Sequence, residues 1–350
     1  MDLMIYIFVC VFVLIVMVVI SEEFFIPSID LFSKKLNLSS DAAGATLLAM
    51  GSSAPEFFTS LIAILGLGGA HADVGAGTIV GSAIFNILVI VGASALFRAV
   101  KVQWQPVMRD MMFYIVTILL LMWAFWDGKI VILEAIIFLV TYVLYVILAS
   151  NWRKILPYHD QQAEEVAERK KSTITKSIHL GLSQFVPNVE KKPHLYWVTF
   201  FISIAVIAIT SFVLVWSVEG MANILNLNPT FLALTLIAAG TSMPDLIGSI
   251  VVARQGRGDM AVGNAVGSNI FDILFGLGLP WFIALSLNGW SSNIGVGREN
   301  LLSSIFLLFA TVVALLFIMI FRNWKIGQKS GWVLIAMYVG YCVYIVLSLN

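Results

Sequence analysis

Charge is what this sequence has least of. Asp, Glu, Lys and Arg make up 11% of its 350 residues, against roughly 25% in an ordinary soluble domain. The 20 basic and 20 acidic residues cancel, so there is no basic surplus to suit nucleic acid. Cysteine is nearly missing: Cys10 and Cys342 both sit in apolar stretches and read as small buried hydrophobes, which excludes a disulfide framework or a thiolate metal site. The features of a cleaved leader are missing too. No Lys or Arg precedes the first apolar stretch, Asp2 does, and no small-x-small pattern follows Val18-Val19-Ile20-Ser21-Glu22-Glu23. Residues 1–20 therefore read as an uncleaved first helix.

What is present is apolar length. Hydrophobic residues make up 60% of the chain, and mean hydropathy is +0.97. Runs of about 20 apolar residues, enough to cross the hydrocarbon layer, recur from end to end. The expected class is an all-α polytopic membrane protein of ten helices, at 3–20, 42–66, 74–97, 107–126, 130–149, 195–218, 229–252, 260–286, 301–321 and 331–349. Residues 1–149 form a first five-helix unit and 195–350 a second. The one long polar stretch, 150–194, carries Gln161, Gln162, Glu164, Glu165, Glu168, Arg169, Lys170 and Lys171. It is too short to hold a regulatory domain with its own core.

Basic residues orient these helices. The loops after helices one, three, five, seven and nine, with the adjoining helix ends, hold 18 of the 20 Lys and Arg, Arg109 among them. The other side holds only Lys129 and Arg298. The positive-inside rule makes the first set cytoplasmic, with both termini outside and loop 150–194 inside. The Asn37-Leu38-Ser39 sequon then lies in the cytoplasm, beside Lys34 and Lys35.

Two segments of the first half recur in the second. Gly51-Ser52-Ser53-Ala54-Pro55-Glu56 matches Gly240-Thr241-Ser242-Met243-Pro244-Asp245. Val80-Gly81-Ser82-Ala83-Ile84-Phe85-Asn86-Ile87-Leu88 matches Val266-Gly267-Ser268-Asn269-Ile270-Phe271-Asp272-Ile273-Leu274, with seven of nine positions identical. Five helices separate the copies, and an odd number inverts the second relative to the first. Inverted repeats of this kind build midplane sites in secondary transporters.

The chemistry of the copies is oxygen chemistry. Pro55 and Pro244 each remove a backbone donor, to the carbonyls of Gly51 and Gly240. The helices should kink there and free carbonyls around Ala49 and Ala238, which membrane depth tolerates only where they line a cavity. Ser52, Ser53, Thr241 and Ser242 add hydroxyls, and Glu56 and Asp245 add charge. A carboxylate near the bilayer centre costs about 2.5 kcal/mol or more unless compensated, so Glu56, Asp245 and Asp272 mark a site. Carboxylates with neutral oxygens suit hard cations such as calcium, which takes about 6–8 oxygen ligands. Neither repeat core contains histidine or cysteine, against zinc, copper or iron. Glycines and serines outside the two hexapeptides also serve close helix packing. Asp110, Glu134 and Glu219 lie nearer helix ends, where they can snorkel or pair locally.

These residues resemble the calcium/cation antiporter superfamily, most of all its potassium-dependent sodium/calcium exchangers. Ala43-Gly44-Ala45-Thr46, Gly77-Thr78-Ile79, Val252-Ala253-Arg254-Gln255-Gly256 and Gly258-Asp259-Met260-Ala261-Val262 add to the likeness. The resemblance implies antiport of sodium against calcium, with potassium travelling with calcium and no resident cofactor. It implies that Glu56 and Asp245 are shared by both ions and that Ser53 and Ser242 are hydroxyl ligands. It further implies that Ser52 and Thr241 are adjacent counterparts, Ala49 and Ala238 carbonyl donors, Ser82 and Ser268 hydroxyls of helices three and eight, and Asn86 and Asp272 a flanking pair. A cell-membrane location goes with it, and nothing in 150–194 resembles a calcium-sensing domain.

The rivals differ in what they need. A channel needs a continuous path, commonly on a symmetry axis between subunits. Gly256-Arg257-Gly258-Asp259 fits the Gly-x-Gly-Asp pattern of an intramembrane aspartyl protease, but no Tyr-Asp pair accompanies it, so the chain does not read as an enzyme. Potassium-independent exchange and proton/calcium antiport remain open. Glu56, Asp245 and Asp272 total three negative charges against calcium's two, so either potassium joins calcium or Asp272 takes a proton. Helices one and six carry few polar groups and neither repeat motif, which suits sliding gates.

Overall fold

With no water in hydrocarbon to satisfy N–H and C=O groups, an apolar run of this length must bond within itself, and it does so as helix. The computed structural model describes residues 3–65, 72–159, 173–189, 191–224, 238–296 and 298–348. The polar run Gln161–Lys171, the start of the expected 229–252 helix and the Glu219 side chain lie outside what is described. Among the described residues, seven helical spans are long and apolar enough to cross a membrane. Both motif helices are interrupted. The first breaks at Ser53 and restarts as Ala54–Leu65, and the second breaks at Ser242 and restarts as Met243–Arg254.

Several boundaries differ from expectation: the expected 130–149 and 195–218 helices run on to Ile155 and Ile224, and two differences are larger in consequence. The first helix does not stop at residue 20 but runs on to Leu36, a span of 34 residues. A π turn at Ser21–Phe25 precedes Pro27, whose missing N–H breaks the ordinary ladder, and the helix passes through the π turn and does not end. It ends where Asn37 turns left-handed, at φ 54°. Lys34 and Lys35 stand in its last turn, facing the negative end of the helix dipole. The expected 260–286 helix is divided into Gly258–Leu274 and Gly278–Asn288.

Two small sheets clamp the ends. Strand Val100–Lys101 pairs antiparallel with Lys325–Ile326, and Lys129–Ile130 with Ile294–Gly295. The helix Trp104–Ala124 leads from the first sheet to the second, and Arg298–Phe321 leads from the second back to the first. These two helices therefore run in opposite senses. The first helix lies along Tyr196–Ile224: the Tyr6 and Trp216 rings are 5.4 Å apart, and Val13, Met17 and Leu214 are buried together.

Small residues set how closely the motif helices approach. A Cβ on Gly267 would lie 2.5 Å from the Ala45 carbonyl oxygen, and one on Gly44 would lie 2.5 Å from that of Met260. Backbone thus meets backbone where the Ser40–Ser52 region crosses Gly258–Leu274, the packing that small residues permit between apolar helices.

Candidate ion-binding site

The two helix breaks have the same geometry. Ser53 sits at φ −82°, ψ 9° and Ser242 at φ −82°, ψ 6°. Pro55 and Pro244 withhold the donors that Gly51 and Gly240 would otherwise receive. The carbonyls of Ala49 and Ala238 are not released, contrary to the sequence expectation. The first accepts from the Ser53 amide at 3.0 Å and the second from the Ser242 amide at 3.2 Å. A proline removes only the bond aimed at its own nitrogen, and the Ala49 and Ala238 bonds lie two residues upstream. A neighbouring hydroxyl reaches each carbonyl as well, Ser52 Oγ to Ala49 at 3.4 Å and Thr241 Oγ1 to Ala238 at 3.1 Å.

Past the breaks, each motif reaches the acid of the other. Ser52 Oγ donates to Asp245 Oδ1 at 2.5 Å, and Ser242 Oγ donates to Glu56 Oε1 at 3.0 Å. Thr241, the counterpart of Ser52, also lies against Glu56 and bonds the Ala238 carbonyl at 3.1 Å. Ser268 Oγ donates to Asp245 Oδ1 at 2.5 Å. Its counterpart Ser82 turns back to its own helix, bonding the Ile79 carbonyl at 2.9 Å, and reaches no acid. Asn86 bonds Asn269 at 2.9 Å. All twelve candidate residues are at most 1% exposed.

The satisfied oxygens matter less than the unsatisfied ones. Six buried oxygens of these residues have no hydrogen-bond partner: Ser53 Oγ, Glu56 Oε2, Asn86 Oδ1, Asp245 Oδ2 and both oxygens of Asp272. Ser53 lies beside Asp272 without completing a hydrogen bond. The carboxylates of Glu56, Asp245 and Asp272 are close enough to repel one another. Among the described residues, no Lys or Arg pairs with any of the three. Nor do any three Asp, Glu, His or Cys side chains close on one point as metal ligands. The donors are spread out and of mixed type: carboxylate, hydroxyl and amide oxygen. Orphaned buried acceptors are costly unless something fills their lone pairs.

Asn264 and Asn269 were absent from the sequence-derived set. Asn264 Nδ2 donates to the Asp245 carbonyl at 3.2 Å and to Ser249 Oγ at 2.9 Å. The signal was available, since Asn264, Ser268 and Asp272 recur every four residues and so share one helix face. A second buried acidic cluster was also missed. Arg109 was counted with the cytoplasmic loops, yet it is only 2% exposed. It bonds Asp110 at 2.8 and 2.9 Å and Asp41 at 2.9 Å. Asp110 therefore pairs with its neighbour, as expected, but is buried and does not snorkel. Glu134 pairs locally too, accepting the Val131 amide at 2.8 Å.

The sodium/calcium exchanger protein family profile matches residues 6–151 and 195–347. Sodium/potassium/calcium exchanger 5 of Homo sapiens is 30% identical, over 97% of this chain and 82% of its own length. Sodium/potassium/calcium exchanger 2 of Gallus gallus is 27% identical, over 96% and 76%. Among solved structures, the fold is similar to that of the sodium-calcium exchanger NCX_Mj soaked with 10 mM Na+ and zero Ca2+. The TM-score is 0.68 at 22% identity, covering 97% of this chain and 98% of that one.

Proposed function

This chain belongs to the sodium/calcium exchanger protein family, a family of membrane transporters, and on that premise we propose that it exchanges sodium for calcium at the site described. The observation that carries the proposal is the set of six unpartnered buried oxygens around three carboxylates that no basic side chain neutralises. The missing positive charge must come from outside the chain, and a transported cation supplies it. Calcium takes about 6–8 oxygens of this kind. Sodium uses the same neutral hydroxyl and amide oxygens, so the two compete, and competition for one site is what couples opposing fluxes.

Glu56 and Asp245 are the shared acids in this reading. Ser52, Ser53, Thr241, Ser242, Ser82, Ser268, Asn86, Ala49 and Ala238 supply neutral oxygens, and Asp272 is the acid that the first repeat lacks. The mutual bonds from Ser52 to Asp245 and from Ser242 to Glu56 support a site built from two related halves. The opposite senses of Trp104–Ala124 and Arg298–Phe321 support an inverted repeat of five helices each, ten in all. The orientation with both termini outside and loop 150–194 in the cytoplasm rests on the basic residues, as does cell-membrane residence on the resemblance. The Asn37-Leu38-Ser39 sequon should therefore stay unglycosylated in a eukaryotic host, and a glycan there would invert the arrangement. The first helix and Tyr196–Ile224 remain the proposed sliding pair, since the site residues are buried and an ion must gain access to them.

Potassium is proposed to travel with calcium because three negative charges exceed calcium's two. The test is calcium-45 uptake into sodium-loaded vesicles, with external potassium or choline, in wild type and Asp272→Asn. Sodium-driven uptake that needs potassium in wild type, and loses that need in the variant, is the expected result. Uptake indifferent to potassium would remove the co-transport, and uptake driven by protons without sodium would replace the antiport itself.

A further inference from the structure

One hydrogen-bond chain beside the site has only one consistent arrangement. Asn269 Nδ2 lies 3.0 Å from the Ala83 carbonyl oxygen and 2.9 Å from Tyr114 Oη. A backbone carbonyl can only accept, so the Asn269 NH2 must face it. Turning that amide over would set Oδ1 against the Ala83 oxygen, acceptor against acceptor. Asn269 Oδ1 is thus committed to the other side, where it accepts from Asn86 Nδ2 at 2.9 Å. By the same rule Asn86 cannot turn over either, because its own oxygen would then meet Asn269 Oδ1. The Asn86 carbonyl oxygen is left as the free acceptor, buried and without a partner. Ala83 and Asn86 lie on one stretch of helix, Tyr114 on Trp104–Ala124 and Asn269 on Gly258–Leu274. Asn86, Tyr114 and Asn269 are all fully buried, so no water competes for these bonds.

We propose that Asn269, braced by Tyr114 and the Ala83 carbonyl, is a positioning residue that holds the Asn86 amide with its oxygen presented to the transported cation. This rests on the exchange reading above. Without the brace, Asn86 can present NH2 to the site, and a cation finds a donor where it needs an acceptor. The repeat makes the device one-sided. The position matching Asn269 in the first half is Ala83, and the position matching Asn86 in the second half is Asp272, whose two oxygens are equivalent and need no such orientation.

The experiment measures calcium half-saturation and maximal sodium-driven flux for full-length protein in vesicles, alongside thermal stability. Asn269→Leu should raise half-saturating calcium about tenfold, the effect of one misplaced buried hydrogen-bonding group. Tyr114→Phe leaves the Ala83 bond in place and should raise it about threefold. In an Asn86→Asp background both terminal atoms are oxygens, one of them pressed against Asn269 Oδ1. There, adding Asn269→Leu should leave half-saturation unchanged or lower it. An equal rise in both backgrounds, or variants that lose only maximal flux in proportion to folded protein, would reduce Asn269 to packing and overturn the proposal. If Asn269→Leu does not fold, Tyr114→Phe decides: a raised half-saturation supports the brace and an unchanged one overturns it. Wild-type vesicles without sodium-dependent calcium flux would remove the exchange reading, and this role with it. A wild type that exchanges beside variants of unchanged affinity removes the positioning role alone.

Discussion

Two buried acidic clusters in this molecule have opposite fates. In one, Asp41 and Asp110 share Arg109, with the Tyr145 hydroxyl donating to Asp110 at 3.0 Å and Tyr158 donating to Asp41 at 2.8 Å. In the other, Glu56, Asp245 and Asp272 receive only a few hydroxyl and amide bonds and keep oxygens without partners. Removing charge from water is costly in both places. The first cluster brings its own guanidinium and so ties helices together. The second leaves its compensation open, and an open position is what an exchanged ion requires. Buried carboxylates therefore do not by themselves mark a transport cluster; in the proposed reading, the lack of a built-in cation does.

The largest expected effect is on the open cluster. Glu56→Gln and Asp245→Asn should each cut sodium-driven calcium flux about a hundredfold or more, the loss of at least ~2.5 kcal/mol of charge interaction. Both proteins should still insert and keep their thermal stability, because no internal ion pair is broken. Near-normal flux from either variant would remove that acid from the site. The closed cluster should behave in the opposite way. Arg109→Met strands two carboxylates and should cost about 3–5 kcal/mol of stability, read as a fall in Tm. Calcium half-saturation of whatever folds should not change, and a selective loss of calcium affinity would erase the contrast.

The smallest effect is at the edge of the closed cluster. Tyr158 lies outside the membrane spans, and burial together with the neighbouring Asp41 charge pushes its phenol above the ordinary 10.0. The hydrogen-bonded, protonated form is the one the fold favours. Its contribution is therefore fully present below about pH 10 and is lost as pH rises through the raised value. Tyr158→Phe should cost about 0.5–1.5 kcal/mol at neutral pH and flatten the alkaline fall in Tm. An unchanged alkaline profile would detach Tyr158 from Asp41.

The acids of the open cluster were legible because a carboxylate in an apolar run is rare and because two runs repeat each other. The twelve candidates are all buried, and three of them differ from their expected description. The carbonyls of Ala49 and Ala238 were expected to be free but keep helical partners, and Ser82 is present yet turned away from the acids. Arg109 was read as a loop charge, since it stands near a helix start where basic residues usually meet water.

The sequence by itself determined the class, the duplicated motifs and the kind of chemistry. Apolar run length, proline position and charge are local properties that need no knowledge of neighbours. Only the tertiary structure decided partners: that Ser268 bonds Asp245 while Ser82 does not, that Asn269 fixes Asn86, and that Arg109 reaches across to Asp41. Helical periodicity assigns a residue to a face. Which helix that face meets, and at what depth, follows from how closely backbones pass at Gly44 and Gly267, a contact between segments more than two hundred residues apart.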